Sequence, residues 1–182
     1  MGNPRSVVGF GLALFLATAL AGCGSGQASS STITTVEAKA HRVTSHVCER
    51  NALDGVHGSD RLKVLSPCAA FQGTVTQKPV KNPDGDVSFE ARPDHGYASM
   101  LNAHNRSEGG LHIEIVPRDQ PGCKRGQTVR VGDVPDLGTC SGRHIAAPAL
   151  GAHVRVIGPW VLDLHNNWYE IHPAWSVKQL GQ

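Results

Sequence analysis

Aromatic residues make up only 5% of this chain of 182 residues, and Lys plus Arg exceed Asp plus Glu by just 17 − 15 = 2. Few aromatics leave little to stack on bases, and a near-neutral balance supplies no basic field, so nucleic acid is not an expected partner. Long apolar runs are short too: Val7 to Leu20 is about 14 residues, whereas a helix needs roughly 20 to cross about 30 Å of hydrocarbon. Familiar catalytic and metal signatures are also missing. There is no C-x-x-C pair, no G-x-S-x-G, no H-E-x-x-H, no Walker-type loop and no complete EF-hand around Asp84, which removes the corresponding mechanisms at the level of motif. His112-Ile-Glu114 has the H-x-E of zinc deaminases, but Pro121-Gly122-Cys123 has no second cysteine three residues on, so that active site is incomplete.

What the chain has is Gly, Pro and the pattern of a small β-rich domain. Hydrophobic residues are 40%, with 21 Gly and 11 Pro, a composition suited to short strands cut by turns and not to a helical bundle. The amino-terminal segment carries Arg5, the apolar run and small residues before Cys23, which predicts a secretory leader. Leu20-Ala21-Gly22-Cys23 resembles a bacterial lipobox. That resemblance implies a leader over 1–22, cut immediately before Cys23, whose sulfur receives a diacylglycerol. Removing 22 residues leaves 182 − 22 = 160, and losing Arg5 leaves a charge balance of 16 − 15 = 1. Gly24 to Thr35 is mostly Gly, Ser and Thr, a flexible tether that carries lipidated Cys23 over 23–40 to a domain over 41–182. Acyl chains bury methylenes at roughly 0.8 kcal/mol each, so two or three make attachment nearly permanent. The expected location is the cell membrane or outer membrane, lipid-anchored, on the extracytoplasmic side. By resemblance to known sorting rules, Gly24 in place of Asp does not retain the protein at an inner membrane.

Four cysteines remain: Cys48, Cys68, Cys123 and Cys140. An even count in an exported chain favours disulfides, and four allow three connectivities. Spacing and the intervening turn residues favour Cys48 with Cys68 and Cys123 with Cys140, each loop closure contributing on the order of 3 kcal/mol.

Strand-like segments follow with turns between them. Cys68 to Thr76, Val87 to Ala91 and Leu111 to Val116 form three expected strands, the first two joined through the turn Asn82-Pro83-Asp84-Gly85-Asp86. A Gly- and Pro-rich insertion holding Cys123 and Cys140 comes next, with a short expected strand at Thr128 to Val131. Val154 to Leu164 and Trp168 to His172 then form a hairpin about Asn166-Asn167. Five strands with a long connection after the third resemble an OB-fold, the small Greek-key barrel. The Gly151-x-x-Val154-x-Val156-x-Gly158 stretch and the Gly73-Thr-Val strand before an acidic hairpin carry that likeness. Arg61-Leu-Lys-Val-Leu, Asp84-Gly-Asp-Val, Leu111-His-Ile-Glu-Ile-Val116 and Trp168-Tyr-Glu-Ile-His-Pro173 together resemble uncharacterised exported OB-like bacterial domains. The resemblance implies a fold and brings no activity with it.

Strand alternation gives a candidate site. With Leu111, Ile113 and Ile115 facing the core, His112 and Glu114 face outward, and the same rule puts Trp168, Glu170 and His172 outward. If the third strand neighbours the second and fifth, as in an OB order, Glu90 joins them. Three readings of this exposed patch are open. It is a ladder of cross-strand charge pairs worth about 0.2–1 kcal/mol each; or His112, Glu114, Glu170 and His172 bind a divalent metal, with Trp168 and Glu90 as a ligand platform; or the patch works as general acid and base. A non-enzymatic module binding an envelope protein, glycan or small ligand through this face needs no cofactor. The alternative is a metal-dependent envelope hydrolase using His112, Glu114, Glu170 and His172. Trp160 and Trp175, beside Pro159 and Pro173, are expected to pack at strand ends.

Overall fold

The computed structural model describes residues 41–42, 46–135 and 137–181. The expected leader, Cys23 and the tether up to residue 40 lie outside the described residues. Among those described, no helix is long and apolar enough to cross a membrane.

Strands dominate, as the composition predicts. They are β1 (His41–Arg42), β2 (Leu62–Val75), β3 (Val80–Lys81), β4 (Val87–Pro93), β5 (Leu111–Ile115), β6 (His153–Asp163), β7 (Trp168–Ile171) and β8 (Ser176–Gln179). All belong to one mixed sheet in which seven strands run in the order β1-β2-β4-β5-β7-β6-β8, while β3 pairs with β4 alone. β5 and β7 are parallel, whereas β2 and β6 are antiparallel along most of their length. The β2–β6 ladder joins the two ends of the path β2-β4-β5-β7-β6.

Local sequence explains the irregularities. β2 starts six residues before the expected Cys68, and its ladder with β6 shifts register between Val64 and Ser66 and again between Ser66 and Ala69. Pro67 lies in the second shift, where its missing N–H costs no ladder bond, and bulges bend a strand. Gly110 precedes β5 where an added Cβ would collide with the main chain of Ala91, so glycine lets β5 and β4 approach. The expected strand at Thr128 to Val131 is not a ladder: only the isolated bridges Thr128–Thr139 and Val131–Val134 form. In this Gly-rich loop closed by Cys123–Cys140, the arms 126–129 and 138–140 are joined by a few backbone bonds, such as Val129 N–H to the Gly138 carbonyl, and local turns supply others. The disulfide pairs are Cys48–Cys68 and Cys123–Cys140, with Cα atoms 5.8 and 5.3 Å apart.

Between β4 and β5 a 3-10 helix, His95–Met100, is followed by α1 (Ala103–Glu108), the one α-helix among the described residues. Asn102 caps it by accepting from the Asn105 amide, Asn105 returns the bond, and Gly109 at φ 99° ends it. The core on one side of the sheet gathers Phe71, Phe89, Ile113, Val156, Trp160 and Ile171. A second, smaller cluster of Val56, Leu62, Val116 and Val161 is packed with Leu53. Trp160 and Trp175 are 3% and 2% exposed, buried as expected, but Trp160 lies inside β6 and not at a strand end.

Candidate functional site

Alternation brings the expected residues together. Glu90 is opposite His112, Ser88 opposite Glu114, and His112 opposite Glu170 in the ladders of β4, β5 and β7. Asp86, Ser88 and Glu90 have the same parity on β4, so Asp86 joins the face from the turn that precedes the strand.

The expectation of an exposed patch is overturned. Glu90 is 7% exposed, His112 8%, Glu114 5%, Glu170 1%, and Asp86 and His172 0%. Alternation assigns a side chain to a face but does not say whether that face meets water. Here the 82–86 turn brings Asn82 Nδ2 to within 3.0 Å of Glu114 Oε1, and the Trp168 ring stacks on His112 at 4.6 Å. Arg61 enters from the start of β2, its Nη2 3.9 Å from Glu114 Oε2 and its Nε 3.1 Å from Asp163 Oδ2. The second apolar cluster includes Val116 and Val161, which by parity share this face with Glu114 and Glu170, so neither side of the sheet is simply solvent.

Within this cover the groups form one ionic network. His112 Nδ1 is 2.5 Å from Glu90 Oε1 and its Nε2 is 3.2 Å from Glu114 Oε1. His172 Nδ1 is 2.7 Å from Glu114 Oε2 and 3.2 Å from Glu170 Oε2, while its Nε2 is 3.1 Å from Asp86 Oδ2. Trp168 Nε1 donates to the other oxygen of Glu170. Trp168 is thus a half-buried wall of the network, with its ring against His112.

Electrostatics follow from burial and proximity. Burial penalises the charged imidazole of His112, yet the hydrogen bonds and fields of Glu114 and Glu90 outweigh it and raise its pKa to about 10. For His172, burial is likewise outweighed, chiefly by Glu114 and Asp86, so its pKa stands well above the usual imidazole range. Burial pushes Glu114 upward, but His172 and His112 hold its carboxyl well below the usual range. For Asp86 burial wins over His172 and raises the pKa to about 6.

Of the four metal-ligand candidates, Glu114 and His172 meet a third donor: ligating atoms of Asp86, Glu114 and His172 all lie within 4.8 Å of one another. His112 and Glu170 are engaged instead by Glu90 and Trp168. Alternation along the expected strands does not connect Asp86, Arg61 or Asn82 with the patch, since all three lie outside those strands. The parity of Asp86 with Glu90 was the available signal. Such a network can hold a cation or rigidify the sheet, but a substrate does not reach groups this buried without movement of their cover.

An open cavity of about 630 Å³ lies elsewhere, along β8 and the 143–148 segment. Ile145, Pro148 and Val177 supply apolar lining, and Arg143, His144 and Lys178 supply basic groups. In comparisons with known proteins, no family model, no curated protein and no solved structure matches the chain. The functional reading therefore rests on these residues.

Proposed function

We propose that the chain is an exported lipoprotein of the bacterial cell envelope, an OB-like barrel that acts as a non-enzymatic binding module. The observation that carries the reading is the cysteine arithmetic. Cys48, Cys68, Cys123 and Cys140 are consumed in two disulfides, as suits an oxidising compartment, and Cys23 behind Leu20-Ala21-Gly22 is the one cysteine left over. The OB-like reading is supported by the path β2-β4-β5-β7-β6 with its β2–β6 closure and its parallel β5–β7 pair. Binding is assigned to the groove along β8, whose volume of about 630 Å³ falls in the range of ligand sites. Its mixed apolar and basic lining suits a ligand with an apolar body and an acidic group. Burial of the His/Glu network weighs against the alternative, a metal-dependent envelope hydrolase.

The anchor is tested with Cys23→Ala. The variant is expected to leave the membrane fraction or to accumulate as uncut precursor, and normal processing with unchanged attachment contradicts lipidation. Binding is tested with a photo-crosslinking residue at Ala147 in intact cells. A discrete envelope adduct is expected from Ala147 and not from exposed Leu164, and equal or absent labelling at the two positions contradicts the assignment.

A further inference from the structure

We propose that Asp86, Glu114 and His172 hold a divalent transition-metal ion inside the domain, a structural ion that ties the turn before β4 to β5 and to the residue after β7. Three observations on separate elements carry this inference. The first is convergence: one donor atom from each residue lies within 4.8 Å of the other two. The second is that the close ion pairs here lack hydrogen-bond alignment. Both carboxylate oxygens of Asp86, Glu114 Oε2 and His172 Nε2 are buried with no aligned hydrogen bond, although Nε2 is 3.1 Å from Asp86 Oδ2 and Glu114 Oε2 is 2.7 Å from His172 Nδ1. Asp86 and His172 are 0% exposed, and native interiors rarely leave such atoms without a partner.

The third observation is the support behind the imidazole. His172 Nδ1 and Glu170 Oε2 make an aligned contact of 3.2 Å, and the other Glu170 oxygen accepts from Trp168 Nε1. A carboxylate taking the Nδ1 proton directs the Nε2 lone pair toward Asp86, the arrangement that orients histidine ligands at metal sites. Glu170 is therefore a positioning residue, and not the ligand its sequence position suggested.

Charge points the same way: the buried carboxylates Asp86, Glu90, Glu114, Asp163 and Glu170 outnumber the basic side chains facing them, His112, His172 and Arg61, and a buried acidic surplus is relieved by a bound cation. One imidazole and two carboxylates with no thiolate suit zinc or manganese. This ion is independent of the lipid anchor, and a normal Cys23→Ala result leaves it untouched.

The test uses full-length protein extracted from membranes in detergent, purified without a His tag, stripped with chelator and given back zinc or manganese. Elemental analysis is expected to find about one equivalent per chain, with a rise in the melting midpoint on metal return. Asp86→Asn is expected to abolish both, while Glu108→Gln, on exposed α1, retains them. Absence of metal with no melting shift overturns the proposal, as does equal binding by Asp86→Asn. Should Asp86→Asn fail to fold, Mn²⁺ added to the wild-type protein decides: selective broadening of His172 NMR signals supports the site, and broadening confined to exposed histidines such as His104 overturns it.

Discussion

Asn105 shows how much one polar side chain holds in this fold. It is 0% exposed, its Nδ2 donates to the Tyr169 carbonyl at 2.8 Å, and its Oδ1 accepts from the Tyr169 amide at 2.8 Å. The amide thus pairs α1 with the main chain of β7 as another strand would. Asn105→Leu strands two part-buried backbone groups of Tyr169, each worth about 1–2 kcal/mol, and is expected to cost about 2–4 kcal/mol in urea unfolding. A loss below about 0.5 kcal/mol would show that the pairing is not needed. Glu114 faces His112, His172, Arg61 and Asn82. Glu114→Ala leaves buried cations without their counter-charge and is expected to destabilise by about 3–5 kcal/mol, read as a fall in melting midpoint. At this scale the sequence was partly legible. Parity put Glu90, His112, Glu114, Glu170 and His172 together, because alternation follows from backbone geometry. Their burial was not legible, because it depends on Arg61, Asn82 and Trp168 arriving from distant segments.

At the scale of elements, β4, β5, β6 and β7 announce themselves by alternating or β-branched runs, and they fall within a residue or two of expectation. The two-residue strands β1 and β3 are too short to carry a period. β8, Ser-Val-Lys-Gln, forms because β6 offers an edge at Val154 to Ile157. α1 reads Ala-His-Asn-Arg-Ser-Glu and has no apolar stripe, since its one buried residue is Asn105. The hairpin between β6 and β7 carries its own pH dependence. Asp163 accepts from the amides of His165 and Asn166 and from Arg61. Burial raises its pKa, but those amides and Arg61 prevail and hold it below the ordinary value. A carboxyl lowered in the folded state stabilises above its unfolded pKa near 4, and the contribution is lost as pH falls through the folded value. Wild-type stability is therefore expected to fall more steeply below about pH 4 than that of Asp163→Asn, in melting curves against pH. Parallel curves would contradict the role given to this turn.

The whole molecule carries a disulfide-stapled sheet and, in the function proposed above, an amino-terminal export leader. The Cys123–Cys140 pair closes a separation of 17 residues in a stretch with few ladder bonds, so its loss should loosen the insertion more than the sheet. Cys123→Ser with Cys140→Ser is expected to cost about 3 kcal/mol and to raise amide exchange over 120–142 while β5 and β6 stay protected. Uniform deprotection would show that the insertion and sheet unfold together. Near-neutral total charge acquires a different meaning at this scale. It conceals an interior holding Asp86, Glu90, Glu114 and Glu170 against His112, His172 and Arg61, and a groove where Arg143, His144 and Lys178 gather. The central claim is that this domain lives on a lipid attached to Cys23. Mass spectrometry of the amino-terminal peptide from membrane-extracted protein tests it most directly. The predicted result is a chain beginning at Cys23 and carrying a diacylglycerol on its sulfur; a mature chain with unmodified Cys23, or one beginning beyond it, would contradict the account.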